Sequence, residues 1–355
     1  MKRLFLLSLA LCLIAAPVAH ADYDPLASGT TKLSLDKSLL KLLKQNGAKV
    51  SAVAPAKLKA GVLTFPVSGG EFDPVSAKGT VEHEGALRFS SKAGSIPLKS
   101  LQLKTTQKGS PFSAKVGGGQ LKIAKAKSLA ISREGFGEKV KVQKLALSQK
   151  LVTRLAKKLK LKGILKAGQP LGSTITKANP ETINVEGKGR ASLTLDPAFT
   201  AKLDSLFVAV NPIFPAEHPG PFTLQIFGGT ISLDASQGTI ETLGALELIQ
   251  LGGGQVFWKE PWLELGAKSF SSEGEVLPAP PYAGKQGRIG VAGMGVGSVS
   301  SDPRARTVSV QGAPLTLSAQ MAQSFEEVFA KPLGKSGVFA AGEAVGSLSF
   351  VAEGQ

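Results

Sequence analysis

The chain carries one sequence pattern twice, in the same order. GTVE at 79–82, followed by GAL at 85–87, returns as GTIE at 238–241 followed by GAL at 244–246. Further pairs return around it: 33–36 with 193–196, 69–70 with 228–229, 145–148 with 315–318, and 168–172 with 342–346. This self-similarity predicts a tandem duplication of one folding unit of roughly 150–170 residues, an ordinary domain size. We therefore interpret a feature in both copies as architecture, and a feature in one copy as a candidate for function.

The first residues predict export. Lys2 and Arg3 precede an apolar run over 4–18, and 19–21 (AHA) has the pattern of a cleavage site. This is typical of a secretory signal peptide over residues 1–21, and the run is too short for a membrane span. The single cysteine, Cys12, lies within it, so we expect a mature chain without disulfides or thiolate sites. The expected product is secreted or held at the cell envelope, without an integral membrane segment.

Charge is divided unevenly between the two copies. The first, 22–180, contains 29 Lys and Arg against 9 Asp and Glu, and the second, 181–355, contains 11 against 17. A basic domain attracts polyanions, among them anionic envelope polymers. Nucleic acid is not expected as a partner, because aromatic residues do not alternate with the lysines and the chain carries an export signal. The alternative is that isolated lysines on strands only keep the surface soluble.

Both copies have a strand-rich pattern interrupted by two helical stretches. Short alternating runs, such as 62–67 and 79–89, are separated by Gly, Pro and Ser. This spacing predicts a mainly β protein of two tandem β-sandwich domains, 22–180 and 181–355, each with two short α-helices. The helices are expected to begin at residues that cap a helix well, namely Asp36, Ser148, Asp196 and Ser318.

One of these helices invites a membrane interpretation. Residues 150–162 (KLVTRLAKKLKLK) have the pattern of a basic amphipathic helix on a membrane surface. The corresponding helix of the second copy carries Glu326 and Glu327 instead. Because only the apolar stripe is repeated, we interpret it as core packing and the lysines as a variable surface.

The first copy resembles a known family. TFPVSGG at 64–70 is followed by Asp73-Pro74, by GTV at 79–81 and by GALRF at 85–89. This arrangement resembles the HtaA domain, a secreted or surface-displayed module of actinobacteria used in haem uptake. The resemblance is strongest over 29–104 and reaches the second copy mainly through the internal repeat. It implies a β-sandwich with two short helices and makes haem an expected ligand.

The chain departs from that family at the iron ligands. The resemblance implies a helix tyrosine that ligates haem iron, and this position is Leu42 here. The family's supporting histidine falls at about Lys92. In the second copy the same positions are about Lys202 and Leu251. We therefore expect an HtaA-like scaffold without the usual ligands, on which haem would bind through contacts to its ring and propionates.

His83 is a candidate from the residues themselves. It has the same strand parity as Val81, Leu87 and Phe89, so its side chain points toward the side that these residues bury. Its second-copy counterpart, Thr242, is also polar. Two interpretations stay open: a polar site that lines a pocket, or a core histidine with satisfied hydrogen bonds.

Aromatic residues are concentrated in one part of the second copy. Trp258 and Trp262 flank a Lys-Glu-Pro segment, and Tyr282 follows in a proline-rich loop, with no equivalent in the first copy. Aromatic rings beside polar groups suit a sugar or partner surface. The alternative is that Trp262 packs at a strand edge.

Catalysis is not expected. The glycine clusters at 117–119 and 293–297 lie in strand-rich sequence without the strand–turn–helix of a phosphate-binding loop, and no Gly-x-Ser-x-Gly motif occurs. His218 beside Glu217 provides too few ligands for a metal site. The sequence favours a secreted, non-catalytic binding protein, with haem as one ligand that the resemblance implies. The alternative is a structural or adhesive envelope module whose basic domain binds anionic polymer.

Overall fold

The structure is a computed structural model that describes residues 23–105, 111–277 and 284–355. The expected signal peptide and Tyr282 lie outside the described residues. Within them, two separate antiparallel sheets form, one from strands over 24–180 and one from strands over 182–354. The mainly β composition and the two-domain arrangement agree with the prediction from the sequence.

The elements of the N-terminal domain follow in chain order: β1 (Asp24–Leu35), α1 (Lys37–Gln45), β2 (Ala48–Val53), β3 (Lys57–Lys59), β4 (Val62–Phe72), β5 (Gly79–Ser91), β6 (Gly94–Lys104), β7 (Pro111–Val116), β8 (Gly119–Glu134), β9 (Gly137–Leu147), α2 (Gln149–Leu159) and β10 (Pro170–Pro180).

The elements of the C-terminal domain repeat this order: β11 (Thr182–Leu195), α3 (Pro197–Asp204), β12 (Val208–Ile213), β13 (Phe222–Ser232), β14 (Gly238–Leu243), β15 (Ala245–Gln250), β16 (Gln255–Glu264), β17 (Ser269–Leu277), β18 (Gly284–Met294), β19 (Ser298–Asp302), β20 (Thr307–Leu317), α4 (Ala319–Phe325) and β21 (Ala344–Gly354). A π-helical turn (Glu326–Ala330) and a 3-10 turn (Lys331–Leu333) extend α4.

The four helices begin where the sequence predicts. Asp36 and Asp196 each accept hydrogen bonds on the side chain from two backbone N–H groups of the first turn. Ser148 and Ser318 each accept one, from Leu151 and Met321 respectively. These bonds satisfy donors that a helix leaves unpaired at its start. The apolar stripe of α2 is buried, as the interpretation of core packing required.

The sheets are closed, which corrects the prediction of sandwiches. In the N-terminal domain the order runs from β5 through β6, β7, β8, β9, β10, β1 and β4, and β4 pairs again with β5. The C-terminal domain closes in the same way through the pairing of β16 with β17. Each domain is thus one barrel-like sheet of eight strands rather than two facing sheets. Alternation along strands is the same in both architectures, so it did not distinguish them.

The repeated Gly-Gly pair explains part of this closure. At Gly70 the backbone φ is +112°, and a Cβ would lie 2.0 Å from the carbonyl oxygen of Thr80 on β5. At Gly229 φ is +124°, and a Cβ would lie 2.0 Å from the carbonyl oxygen of Thr239. Both pairs stand at a register shift between the two strands. Glycine is required there because the strand bends and the neighbouring backbone comes close.

The two domains share a packed boundary. Phe136, in the turn between β8 and β9, is 5% exposed and belongs to the hydrophobic core of the C-terminal domain. The Asn184 backbone N–H donates to the Asp24 carboxylate at 3.0 Å, and the Glu181 N–H donates to the Pro25 carbonyl at 2.8 Å. The N-terminal domain thus provides side chains that stabilise its neighbour.

Candidate functional site

His83 lies inside the N-terminal barrel with both ring nitrogens bonded. Its Nδ1 is 2.9 Å from the Leu101 carbonyl oxygen, and its Nε2 is 2.6 Å from the Thr31 hydroxyl. Thr31 is in turn 2.7 Å from the Thr176 hydroxyl. A carbonyl only accepts, so Nδ1 carries the proton and Nε2 accepts from Thr31. Of the two interpretations of His83, this geometry is that of a satisfied core histidine.

The second domain has an equivalent hydrogen bond, from a side chain to a backbone carbonyl, made by another residue. Thr242 donates its hydroxyl to the Pro261 carbonyl oxygen at 2.6 Å, as His83 donates to Leu101. Burial lowers the pKa of the His83 imidazole to about 4, although the bond to the Leu101 carbonyl opposes this effect. His83 is therefore neutral at physiological pH and has no free nitrogen for an external ligand.

The positions that the resemblance assigned to iron ligands do not provide any. Leu42 is half-buried and packs against the core, and Lys92 is exposed. Lys202 pairs with Glu343 and donates to the Val338 carbonyl. Leu251 is 83% exposed. None of these side chains is a customary axial ligand of haem iron, so the residues present do not fit iron ligation.

The aromatic residues of the second copy are divided between core and edge. The Trp258 ring is 1% exposed and stacks on Phe325 at 6.1 Å, so its assignment to a sugar surface is corrected. Alternation along β16 turns it inward, against α4. Trp262 is half-buried beneath the Arg288 guanidinium, 3.7 Å from the ring centroid. The two tryptophans do not form one surface.

Lysines form a continuous basic face on the N-terminal domain. This basic face covers the outer side of β8, β9, β10 and β1 and consists of Lys32, Lys125, Lys127, Lys139, Lys141, Lys144 and Lys177. Lys127 lies directly opposite Lys144, and Lys139 directly opposite Lys177. Like charges at opposed positions destabilise a sheet. The sequence showed the excess of lysine, but only the sheet order shows that it gathers on one side.

One carboxylate partly neutralises this face. Glu134 lies 2.6 Å from the Lys177 ammonium and 3.8 Å from that of Lys139. In the part of the chain that the structure describes, the other five lysines form no ion pair. The basic face therefore retains most of its positive charge and is available to an anionic partner.

Buried carboxyl groups were missed by the sequence reasoning. Glu138 on β9 is 1% exposed, and neither of its carboxyl oxygens has a hydrogen-bond partner. Burial raises its pKa to about 7. Asp24 is also buried, and burial raises its pKa to about 6 against the Asn184 hydrogen bond and the charges of Arg133 and Arg306. The inward parity of Glu138 with Val140 and Val142 was visible in the sequence and could have identified it.

Within residues 23–105, 111–277 and 284–355, no three His, Cys, Asp or Glu side chains are grouped to hold a metal ion. Over the same ranges, no helix has the length and apolar character needed to cross a bilayer.

The chain has little similarity to known proteins in these comparisons. No family model matches the chain, and no curated protein matches it. The C-terminal domain of HtaA from Corynebacterium glutamicum is similar at 12% identity and a TM-score of 0.37, over 44% of this chain and 98% of that domain. A single-residue mutant of transferrin binding protein B from Haemophilus parasuis aligns at 8% identity and a TM-score of 0.15, over 93% of this chain and 76% of that one.

Proposed function

We propose that this chain is a secreted, non-catalytic binding protein of the cell envelope, and that its N-terminal domain binds an anionic polymer. The observation that supports this most is the basic face. Strands place seven lysines on one side, two pairs of them directly opposed. That arrangement lowers stability unless an anion lies across it.

A charge-reversal comparison tests the proposal. Lys127→Glu, Lys141→Glu and Lys144→Glu together change the basic face. The control, Lys150→Glu, Lys157→Glu and Lys158→Glu, makes the same change of net charge on exposed positions of α2. The full mature chain is passed over an immobilised teichoic-acid-type polyphosphate in a salt gradient. We expect the basic-face variant to elute at much lower salt than the control. Salt screens charges that are far from the polymer, so retention depends on the charge density of the surface in contact with it.

Equal loss by both variants would mean that net charge alone causes retention, and it would contradict a specific basic face. No retention of the unmodified chain at low salt would contradict polymer binding itself.

Haem binding is the second candidate, supported by one apolar groove of about 730 Å³ on the C-terminal domain. Phe207, 64% exposed, and Leu251, 83% exposed, line it beside Ile249. Leu251 is also the residue at the family's histidine position. An exposed apolar surface of this kind suits the face of a planar ring.

The measurement is a visible-absorption titration of the mature chain with haemin. Leu251→Ser removes an apolar side chain from the groove, and Leu42→Tyr introduces a residue that can ligate iron. A saturable change of the Soret band that Leu251→Ser weakens would support haem binding. A Soret change only in Leu42→Tyr would mean a scaffold that no longer takes haem by itself.

A further inference from the structure

A groove of about 1010 Å³ crosses the outer side of the C-terminal sheet, away from the surfaces considered above. It lies over β11, β13 and β21 and reaches β20, and the loop between β12 and β13 forms one wall. Uncharged hydrogen-bonding side chains line its floor: Ser192, Thr194, Thr223, Gln225, Gln311 and Ser349. Hydroxyl and amide groups both donate and accept, so this floor can match a ligand rich in hydroxyl groups.

The charges of the groove balance. Lys188 and Arg190 provide two positive charges, and Glu217 and Glu353 provide two negative ones. The Arg190 guanidinium lies 3.3 Å from the Glu217 carboxylate, and the Lys188 ammonium lies 2.7 Å from the carboxylate of Glu186, so both cations are already paired. The groove therefore has no unpaired cation to attract an anionic ligand.

An exposed aromatic ring stands at the rim. Phe214 lines the groove and is 91% exposed. An exposed phenyl ring is unfavourable in water and is commonly retained where it contacts a ligand. Phe227, 60% exposed, lies on the outer side of β13 beyond Thr223 and Gln225. Phe227 lies four residue steps along the extended strand from Thr223, about 13 Å at the usual rise.

The loop that carries Phe214 is held in place. The Ala216 N–H donates to the Ile213 carbonyl at 3.0 Å, and Glu217 and Thr223 exchange two backbone hydrogen bonds of 3.0 Å. The His218 ring stacks on Phe222 at 4.9 Å. The rim is thus ordered before a ligand arrives, which lowers the entropic cost of binding.

The N-terminal domain has a groove at the same place with other chemistry. It measures about 460 Å³ and lies over the corresponding strands β1, β4 and β10. Lys32 and Lys59 line it. Ala54 corresponds to Phe214. Ala56, two residues after Ala54, lies against Gly85, and Ala216, two residues after Phe214, lies against Gly244 in the same way. The groove itself is architecture, whereas the aromatic rim and the glutamine side chains of the floor are particular to the second copy.

We propose that the C-terminal groove binds a neutral glycan chain. The apolar face of a sugar ring would stack on Phe214, and its hydroxyl groups would exchange hydrogen bonds with Gln225, Thr223 and their neighbours. Because both cations of the groove are already paired, no preference for uronic or phosphorylated sugars is expected. The groove is open along β13, so an extended chain rather than a single monosaccharide is the occupant.

Affinity electrophoresis of the full mature chain tests this, with separate gels containing dextran, mannan, galactomannan, arabinogalactan and a soluble mixed-linkage glucan. We expect retardation in at least one gel. Phe214→Ala, which copies the first domain, should weaken it about tenfold, as loss of an aromatic contact does. Phe207→Ala removes an exposed phenyl elsewhere in the same domain and should leave it unchanged. Lys127→Glu with Lys141→Glu should also leave it unchanged, which separates this groove from the basic face.

Three results would overturn the proposal. Retardation in none of the five gels would exclude a neutral glycan as the occupant. Equal loss in Phe214→Ala and Phe207→Ala would show that general apolar exposure causes any retardation. A dimer of the unmodified chain in sedimentation velocity that Phe214→Ala dissociates would assign the groove to contact between copies.

Discussion

The corresponding outer surfaces of the two domains carry different side chains. In the N-terminal domain the side of the sheet around β1, β9 and β10 carries opposed lysines. In the C-terminal domain the corresponding strands β11, β20 and β21 carry Ser, Thr, Gln and a salt-bridged Arg190. The closed sheet, the glycine pairs and the helix caps are the same in both. The two domains thus share the scaffold and differ at outward positions, which do not contribute to the core.

The interiors differ as well. The N-terminal barrel buries His83 and Glu138, which can change charge, besides Asp24 at the boundary with the second domain. The C-terminal barrel has Thr242 in place of His83. Val308 pairs with Ala352 as Glu138 pairs with Ala178, so a valine replaces the glutamate. The first domain should therefore respond to pH and the second should not.

The largest effect is expected from Gly70→Ala. A Cβ would lie 2.0 Å from a backbone oxygen at a φ of +112°, so we expect a loss of at least about 4 kcal/mol and unfolding of the N-terminal domain. Both tryptophans belong to the second domain. Hydrogen exchange over 23–105 reports the first domain, and Trp fluorescence reports the second.

Gly119→Ala is the control, because nothing lies within 4 Å of its Cβ position. If Gly70→Ala and Gly119→Ala gave the same unfolding midpoint, the close approach of β4 and β5 would not determine the closed sheet.

The next effect tests how far the domains are independent. Phe136→Ala removes a ring that the first domain inserts into the core of the second, so we expect the second domain to lose about 3 kcal/mol. Its urea transition, followed by Trp fluorescence, should move to lower concentration. Leu147→Ala changes the core of the first domain alone and should leave the Trp transition in place. If Leu147→Ala shifted the Trp transition more than Phe136→Ala did, Phe136 would contribute nothing to the stability of the second domain.

Much of the scaffold could be predicted from the sequence, and most of the candidate surfaces could not. Asp36 and Ser148 marked helix starts because capping is a local interaction. Closure of the sheet requires β4 to pair with both β1 and β5, and this depends on the order of all eight strands. No local sequence pattern carries that information. The polar neighbours of Trp258 favoured a surface position, but the side of the sheet to which a strand residue points depends on how the sheet is packed. Phe214 stood in a proline-rich loop whose place beside β11 only the fold reveals.

A smaller effect follows from Glu138. Its pKa is raised to about 7 in the folded chain from 4.5, so the unfolded state releases its proton first as pH rises. Stability is therefore lost between pH 4.5 and 7, by about 3 kcal/mol in total. Glu138→Val, the residue of the second domain, and Glu138→Gln should both raise the urea midpoint of the first domain at pH 8 and change it little at pH 4.5. A gain of the same size at both pH values would assign the effect to packing.

The smallest effect expected is that of His83, and it has the opposite sign. Its pKa is lowered to about 4 in the folded chain from 6.5, so the unfolded state binds a proton first as pH falls. Stability is fully present above pH 6.5 and declines below it, by about 2 kcal/mol at pH 5. Because the Glu138 effect covers much of the same range and cancels part of this slope, the measurement belongs in the Glu138→Gln background. There His83→Thr, which copies Thr242, should lower stability at pH 7 through lost packing but flatten the decline between pH 6.5 and 5. An unchanged slope would mean that His83 takes up no proton on unfolding and that the pH response of the first domain arises elsewhere.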